Sequence, residues 1–92
     1  MPDETTRSHR VLNEKGLHAR ASAKFVEVVE GFDASAMVRR EDMEASGDSI
    51  MGLLMLAASK GTTIEIETAG PEADALADAL ESLIASRFGE DV

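Results

Sequence analysis

From Thr62 to Thr68 the chain alternates strictly, with Ile64 and Ile66 on one side of an extended segment and Glu65 and Glu67 on the other. After Ala69-Gly70-Pro71 the period changes. Ala73, Leu76, Ala77, Leu80, Leu83, Ile84 and Phe88 then recur at helical spacing as one apolar stripe. A strand with one wet face and a helix with one apolar stripe can hide those surfaces only against each other. That requires at least two layers, sheet against helix. Proline is expected at the first helical position, with Glu72 and Asp74 in the first turn, Gly89 ending the helix and residues 90–92 as tail.

The rest of the chain supplies matching pieces. Met1 to Arg7 shows no period and reads as a frayed start, and Ser8 to Asn13 as a first strand with His9 and Val11 on one face. Asn13 to Gly16 is a turn. From Ala19 to Glu30 the apolar positions Ala21, Phe25, Val28 and Val29 predict a helix closed by Gly31. Ala34 to Arg39 reads as a second strand, Arg40 to Asp42 as a turn and Met43 to Ala45 as a short third strand. Ser49 is expected to cap a helix opening the apolar run Ile50 to Ala58. On that helix Leu53, Leu56 and Ala57 share one side, while Ile50, Met51, Leu54 and Met55 lean the other way. A helix apolar all round leaves one face exposed when the other packs on a sheet, and methionine suits partners of different shape. The expected order is βαββαβα in a single α+β domain of 92 residues, with its ordered core at about residues 8–88.

Composition narrows the function. The formal net charge of −9 argues against nucleic acid as the main partner. Without cysteine there are no disulfides or thiolate metal sites, and no apolar run approaches membrane-spanning length. A soluble, cytoplasmic monomer is expected. His9 and His18 lack a carboxylate or thiol at ligand spacing, so no metal site is expected. The charge is unevenly spread. Residues 7–24 hold Arg7, Arg10, Lys15, Arg20 and Lys24 against one acid, Glu14, whereas residues 25–92 hold four basic and fifteen acidic side chains.

His18 lies inside that basic island, after Gly16 and at or next to the start of the first helix. A helix N-terminus offers unpaired N–H groups and partial positive charge to phosphate oxygens. The same charge disfavours a protonated ring and preserves a nucleophilic lone pair. Arg20, two residues on, offers a permanently charged fork to an oxyanion. These groups suit a histidine that accepts a phosphoryl group and gives it away. A capping histidine beside a solvated arginine is the other reading of the same residues.

The run Gly16-Leu17-His18-Ala19-Arg20 resembles the active-site signature of HPr, the histidine-containing phosphocarrier family of the bacterial phosphotransferase system. Ser49 to Leu56 is similar to that family's second signature, around its regulatory serine. The resemblance implies the open-faced two-layer sandwich, with antiparallel strands in the order 1-4-2-3 and three helices on one face. It also implies that His18 takes a phosphoryl group on Nδ1 from phospho-Enzyme I and passes it to a IIA protein, without cofactor or metal. Arg20 and the Ala19 N–H would hold the phosphoryl oxygens. Leu17, Lys24, Ile50, Met51, Leu54 and Met55 would meet the partners, and Ser49 would be the target of an HPr kinase. Glu27 to Asp33 and the acidic last helix look closer to the nitrogen-related branch. Three departures stand out: Ala21 where most members have proline, Glu27 and Glu30 on a helix often basic in the family, and Asp48 where a basic residue commonly precedes the serine. No strong second acid or base for His18 is expected, the nearest acid being Glu14. The alternative function is a phosphate-independent interaction module on the same fold, which a His18→Ala variant would leave unaffected.

Overall fold

The computed structural model describes residues 4–92. Its elements run β1 (Glu4–Arg10), α1 (Ala19–Glu30), β2 (Ser35–Arg40), β3 (Met43–Ser46), α2 (Ile50–Met55), β4 (Thr63–Ala69) and α3 (Ala73–Ala85), then a 3₁₀ turn (Arg87–Gly89). The four strands form one sheet in the order β1-β4-β2-β3, every neighbouring pair antiparallel.

The alternation that predicts β4 decides the layering. Ile64, Ile66 and Thr68 are buried, and across the ladders they meet His9, Arg7 and Thr5 of β1. On β4's other side Ile66 and Thr68 meet Val38 and Ala36 of β2, and Val38 meets Ala45 of β3. This inner face closes on Phe25, Val26 and Val29 of α1, Leu53 and Leu56 at α2, and Leu76, Leu80 and Ile84 of α3, with Phe88 beyond. The outer face stays wet. There Arg39 reaches Glu44, Glu65 and Glu67 at 2.9–3.4 Å, an exposed charge network spanning three strands.

Several boundaries differ from those expected. Strand β1 begins at Glu4, with Thr5, Arg7 and His9 on its inner face, and two of them find polar partners on α3: Thr5 Oγ1 donates to Asp74, and Arg7 bridges Asp78 and Glu81 at 2.8 and 3.0 Å. A strand whose inward residues are polar carries no apolar period. The part of the expected frayed start before Glu4 lies outside the described residues. Arg40 ends β2 instead of turning the chain, and its guanidinium donates to the Leu56 carbonyl at 3.2 Å, just past the C-terminus of α2. On α1 it is Val26 that is buried and Val28 that is partly exposed. Ala57 is exposed, since the chain leaves α2 at φ +52°. Helix α3 starts two residues after Pro71 and stops at Ala85, well before Gly89.

Candidate functional site

The turn before α1 is shaped by Gly16. Its φ is +62°, and a Cβ there would lie 2.3 Å from the Ala58 carbonyl oxygen. Only glycine allows that approach. Asn13 closes the turn from the other side, its carbonyl accepting the Gly16 N–H and its Nδ2 donating to the Gly16 carbonyl at 2.8 Å. Leu17 then enters the core at 4% exposure, and its N–H donates to the Ala58 carbonyl at 2.9 Å. Leu17 therefore anchors the loop, and the little surface it keeps lies at the hollow between α2 and His18.

His18 emerges next as the N-cap of α1. Its backbone is extended (φ −74°, ψ −179°), and Nδ1 accepts the Arg20 N–H at 3.3 Å. Its carbonyl accepts the Ser22 N–H at 2.8 Å, while the buried Ser22 hydroxyl donates to the Leu17 carbonyl. Ala21, in place of proline, is fully buried, and α1 still starts at Ala19. An open depression of about 600 Å³ lies over this helix end, lined by Lys15, His18, Ala19, Arg20, Lys24 and residues 89–92. Lys15, Arg20 and Lys24 line this space beside the imidazole together with the carboxylates of Glu90 and Asp91, so the cationic side chains outnumber the acidic ones by one. A helix start with such a lining suits an anion.

The largest departure from expectation is at the C-terminus. After Ala85, Arg87 and Phe88 take left-handed angles (φ +57° and +56°), which non-glycine residues adopt at a cost, and Gly89 follows at +75°. Phe88 is buried, and Lys24 Nζ donates to its carbonyl at 2.7 Å. These fixings turn Glu90 back over the site. Its Oε2 lies 2.5 Å from His18 Nε2, and its Oε1 accepts from Asn13 Nδ2 at 3.1 Å. Residue 90 is not tail, and His18 does have an acidic neighbour. Burial opposes the charge on Glu90, but hydrogen bonds from His18 and Asn13, with Lys15 nearby, hold its carboxyl below the usual range. Asn13 and Glu90 escape sequence reasoning because no period marks them; the one legible signal is Phe88 continuing the apolar stripe to within two residues of Glu90.

The second motif lies close by. Ser49 is the N-cap of α2, its Oγ accepting the Gly52 N–H at 3.0 Å. Leu53 is buried, whereas Ile50 is 40%, Met51 69% and Met55 70% exposed and Leu54 is half-buried. A shallow hollow lined by Lys15, Leu17, His18, Leu54, Ala57, Ala58 and Ser59 joins this helix to the histidine. His9 lies on β1 against α3, and no cluster of three metal-ligating side chains occurs among the described residues. No described helix is long and apolar enough to cross a membrane.

Fold and site together define a class: a small open-faced sandwich that presents a capping histidine, a cationic depression and an exposed apolar helix on one side. The profile of the family described as "PTS HPr component phosphorylation site" matches residues 5–86. The chain is 44% identical over 84 residues to the phosphocarrier protein HPr of Cupriavidus necator, covering 91% of this chain and 94% of that one. It is 39% identical over 82 residues to the phosphocarrier protein NPr of Escherichia coli, covering 88% and 91%. A crystal structure of HPr from Thermoanaerobacter tengcongensis superposes with a TM-score of 0.91 at 31% identity, covering 96% of this chain and 99% of that one. This chain belongs to the HPr family.

Proposed function

We propose that this protein is a phosphocarrier of the phosphoenolpyruvate-dependent phosphotransferase system, with His18 as the residue that carries the phosphoryl group. The observation that carries the reading is the placement of His18 Nδ1 at the N-terminus of α1, beside Arg20 and above the cationic depression. The Arg20 N–H points at Nδ1, so the lone pair lies there and the ring proton lies on Nε2, facing Glu90.

Transfer from phospho-Enzyme I then needs no proton to leave Nδ1. The N–P bond on the donor breaks with its electron pair returning to the donor nitrogen, and the Nδ1 lone pair, released from its long bond to the Arg20 N–H, forms the new N–P bond. Arg20 and the first N–H groups of α1, including that of Ala19, receive the phosphoryl oxygens, so the chemistry is alignment and charge stabilisation. A histidine of a IIA protein takes the group onward by the same exchange. Lys24 and the exposed face of α2 (Ile50, Met51, Leu54, Met55) form the docking surface, close enough to His18 to bring a partner's histidine in line. Phosphate on Ser49 by an HPr kinase would place about −1.5 to −2 charge units at the edge of that surface and act as an off switch. The reactions take place in the cytoplasm, in a single domain acting as a monomer.

The test is incubation with phosphoenolpyruvate and Enzyme I of either the sugar or the nitrogen-related type, with the label mapped under alkaline conditions. The carrier reading expects label on His18 and none on a His18→Ala variant that still binds Enzyme I. A folded protein that binds both donors and takes no label would be an interaction module instead.

A further inference from the structure

Several independent contacts fix the placement of Glu90. Two consecutive non-glycine residues are held at left-handed angles, Phe88 is sunk in the core, and Lys24 crosses from α1 to hold the Phe88 carbonyl. Such strain persists where the surroundings over-determine it, and it clusters at functional sites. The outcome is a relay of hydrogen bonds. Asn13, fully buried, spends one Nδ2 hydrogen on the Gly16 carbonyl and the other on Glu90 Oε1, which fixes the carboxylate. The second oxygen of that carboxylate meets His18 Nε2 at 2.5 Å.

We propose that Glu90 is the positioning residue of the phosphoryl acceptor. It holds the His18 proton on Nε2, keeps the lone pair on Nδ1 at the start of α1, where the Arg20 N–H meets it until the phosphoryl group arrives, and stabilises the charge that the ring gains on phosphorylation. This rests on the carrier reading of His18. When the neutral ring attacks through Nδ1, the new N–P bond leaves positive charge shared between Nδ1 and Nε2–H. The carboxylate beside Nε2 lowers the energy of that arrangement. When the phosphoryl group departs, the electron pair returns to Nδ1 and the Nε2 proton has never moved. A carboxylate that orients a histidine through its other nitrogen plays this part in hydrolase triads, where the wrong tautomer is costly. In this fold it arrives from a turn after the last helix.

Glu90→Gln separates charge from shape. Asn13 and His18 meet different oxygens of Glu90, and in a glutamine one of those positions becomes an NH₂ facing a donor. Glu90→Ala removes the group, and Glu90→Asp restores a carboxylate on a shorter arm. The measurements are the ¹⁵N tautomer pattern of His18 without phosphate, and the initial rate of label transfer from phosphoenolpyruvate through Enzyme I. Wild type is expected to show the Nε2–H tautomer. Gln and Ala variants are expected to show a mixed tautomer and a transfer rate lower by about tenfold, the low end of what losing a histidine-orienting partner costs elsewhere. Asp is expected to recover part of both. Wild-type labelling with unchanged rates in the variants would overturn the role of Glu90 and leave the carrier reading standing. A Glu90→Asp variant as slow as Glu90→Ala, with both folded, would also overturn it, since the loss would then not follow the carboxylate. Faster transfer in Glu90→Gln would make the residue a gate and contradict positioning. Failure of wild type itself to be labelled would end both readings.

Discussion

At Gly16 the backbone, the packing and the site make a single demand. Its positive φ and the 2.3 Å that a Cβ would leave to the Ala58 carbonyl mean that Gly16→Ala has to shift the loop that delivers His18. Urea denaturation is expected to show a loss of at least about 2 kcal/mol. A loss under about 0.5 kcal/mol would show that the loop relaxes freely. His18, Arg20 and Gly16 were legible in the sequence because a local motif fixes them: a glycine turn, a capping side chain and a helix start lie within five residues. Asn13 and Glu90 were not. They lie 77 positions apart and meet only because the chain reverses at Arg87 and Phe88, two residue types that announce no left-handed turn. Leu17 belongs to the motif by sequence, and its N–H bond to the Ala58 carbonyl accompanies a side chain that is almost wholly buried, which the motif alone does not announce.

Helix α2 shows how far periodicity goes for an element. Its run of apolar residues predicted two usable faces, and the structure buries Leu53 and leaves Met51 and Met55 more than two-thirds exposed. Met51→Glu and Met55→Glu are therefore expected to change the unfolding free energy by no more than about 0.5 kcal/mol. Each is expected to weaken binding to Enzyme I by roughly tenfold, as desolvating a charge in an apolar contact requires. Titration calorimetry and urea melts on the same variants check both halves, and a variant that melts early but binds normally would place α2 in the core and not in the interface. Strand β1 is the converse case. Its inner positions Thr5, Arg7 and His9 are polar, Thr5 and Arg7 finding their partners on α3, so no hydrophobic alternation announced the strand before Ser8.

Across the whole molecule, charge separates the working end from the rest. The depression sets Lys15, Arg20 and Lys24 against Glu90 and Asp91, while the open face of the sheet sets Arg39 against Glu44, Glu65 and Glu67. This division gives stability two pH windows. Burial lowers the pKa of His9 from the ordinary 6.5, Glu81 working against the shift and Arg7 with it, so the native state binds fewer protons than the unfolded chain there. That contribution is present above about pH 6.5 and is lost as pH falls through the lowered native value. The second window involves carboxylates. Glu67 is held low by hydrogen bonds and charge from Arg39, and Glu90 is held low by His18 and Asn13 against its burial, so their contributions are present above about 4.5 and are lost below it. The urea midpoint of wild type is expected to fall between pH 7.5 and 5 more steeply than that of His9→Gln. Parallel curves would remove His9 from the account.

The most direct measurement is ¹H–¹⁵N and ³¹P correlation spectroscopy on the protein phosphorylated through Enzyme I, which reads which nitrogen of which histidine bears phosphorus. With Nδ1 of His18 at the helix N-terminus and Nε2 occupied by Glu90, the expected result is phosphorus on His18 Nδ1 with the proton retained on Nε2. Phosphorus on Nε2, on His9, or on no histidine at all would contradict it.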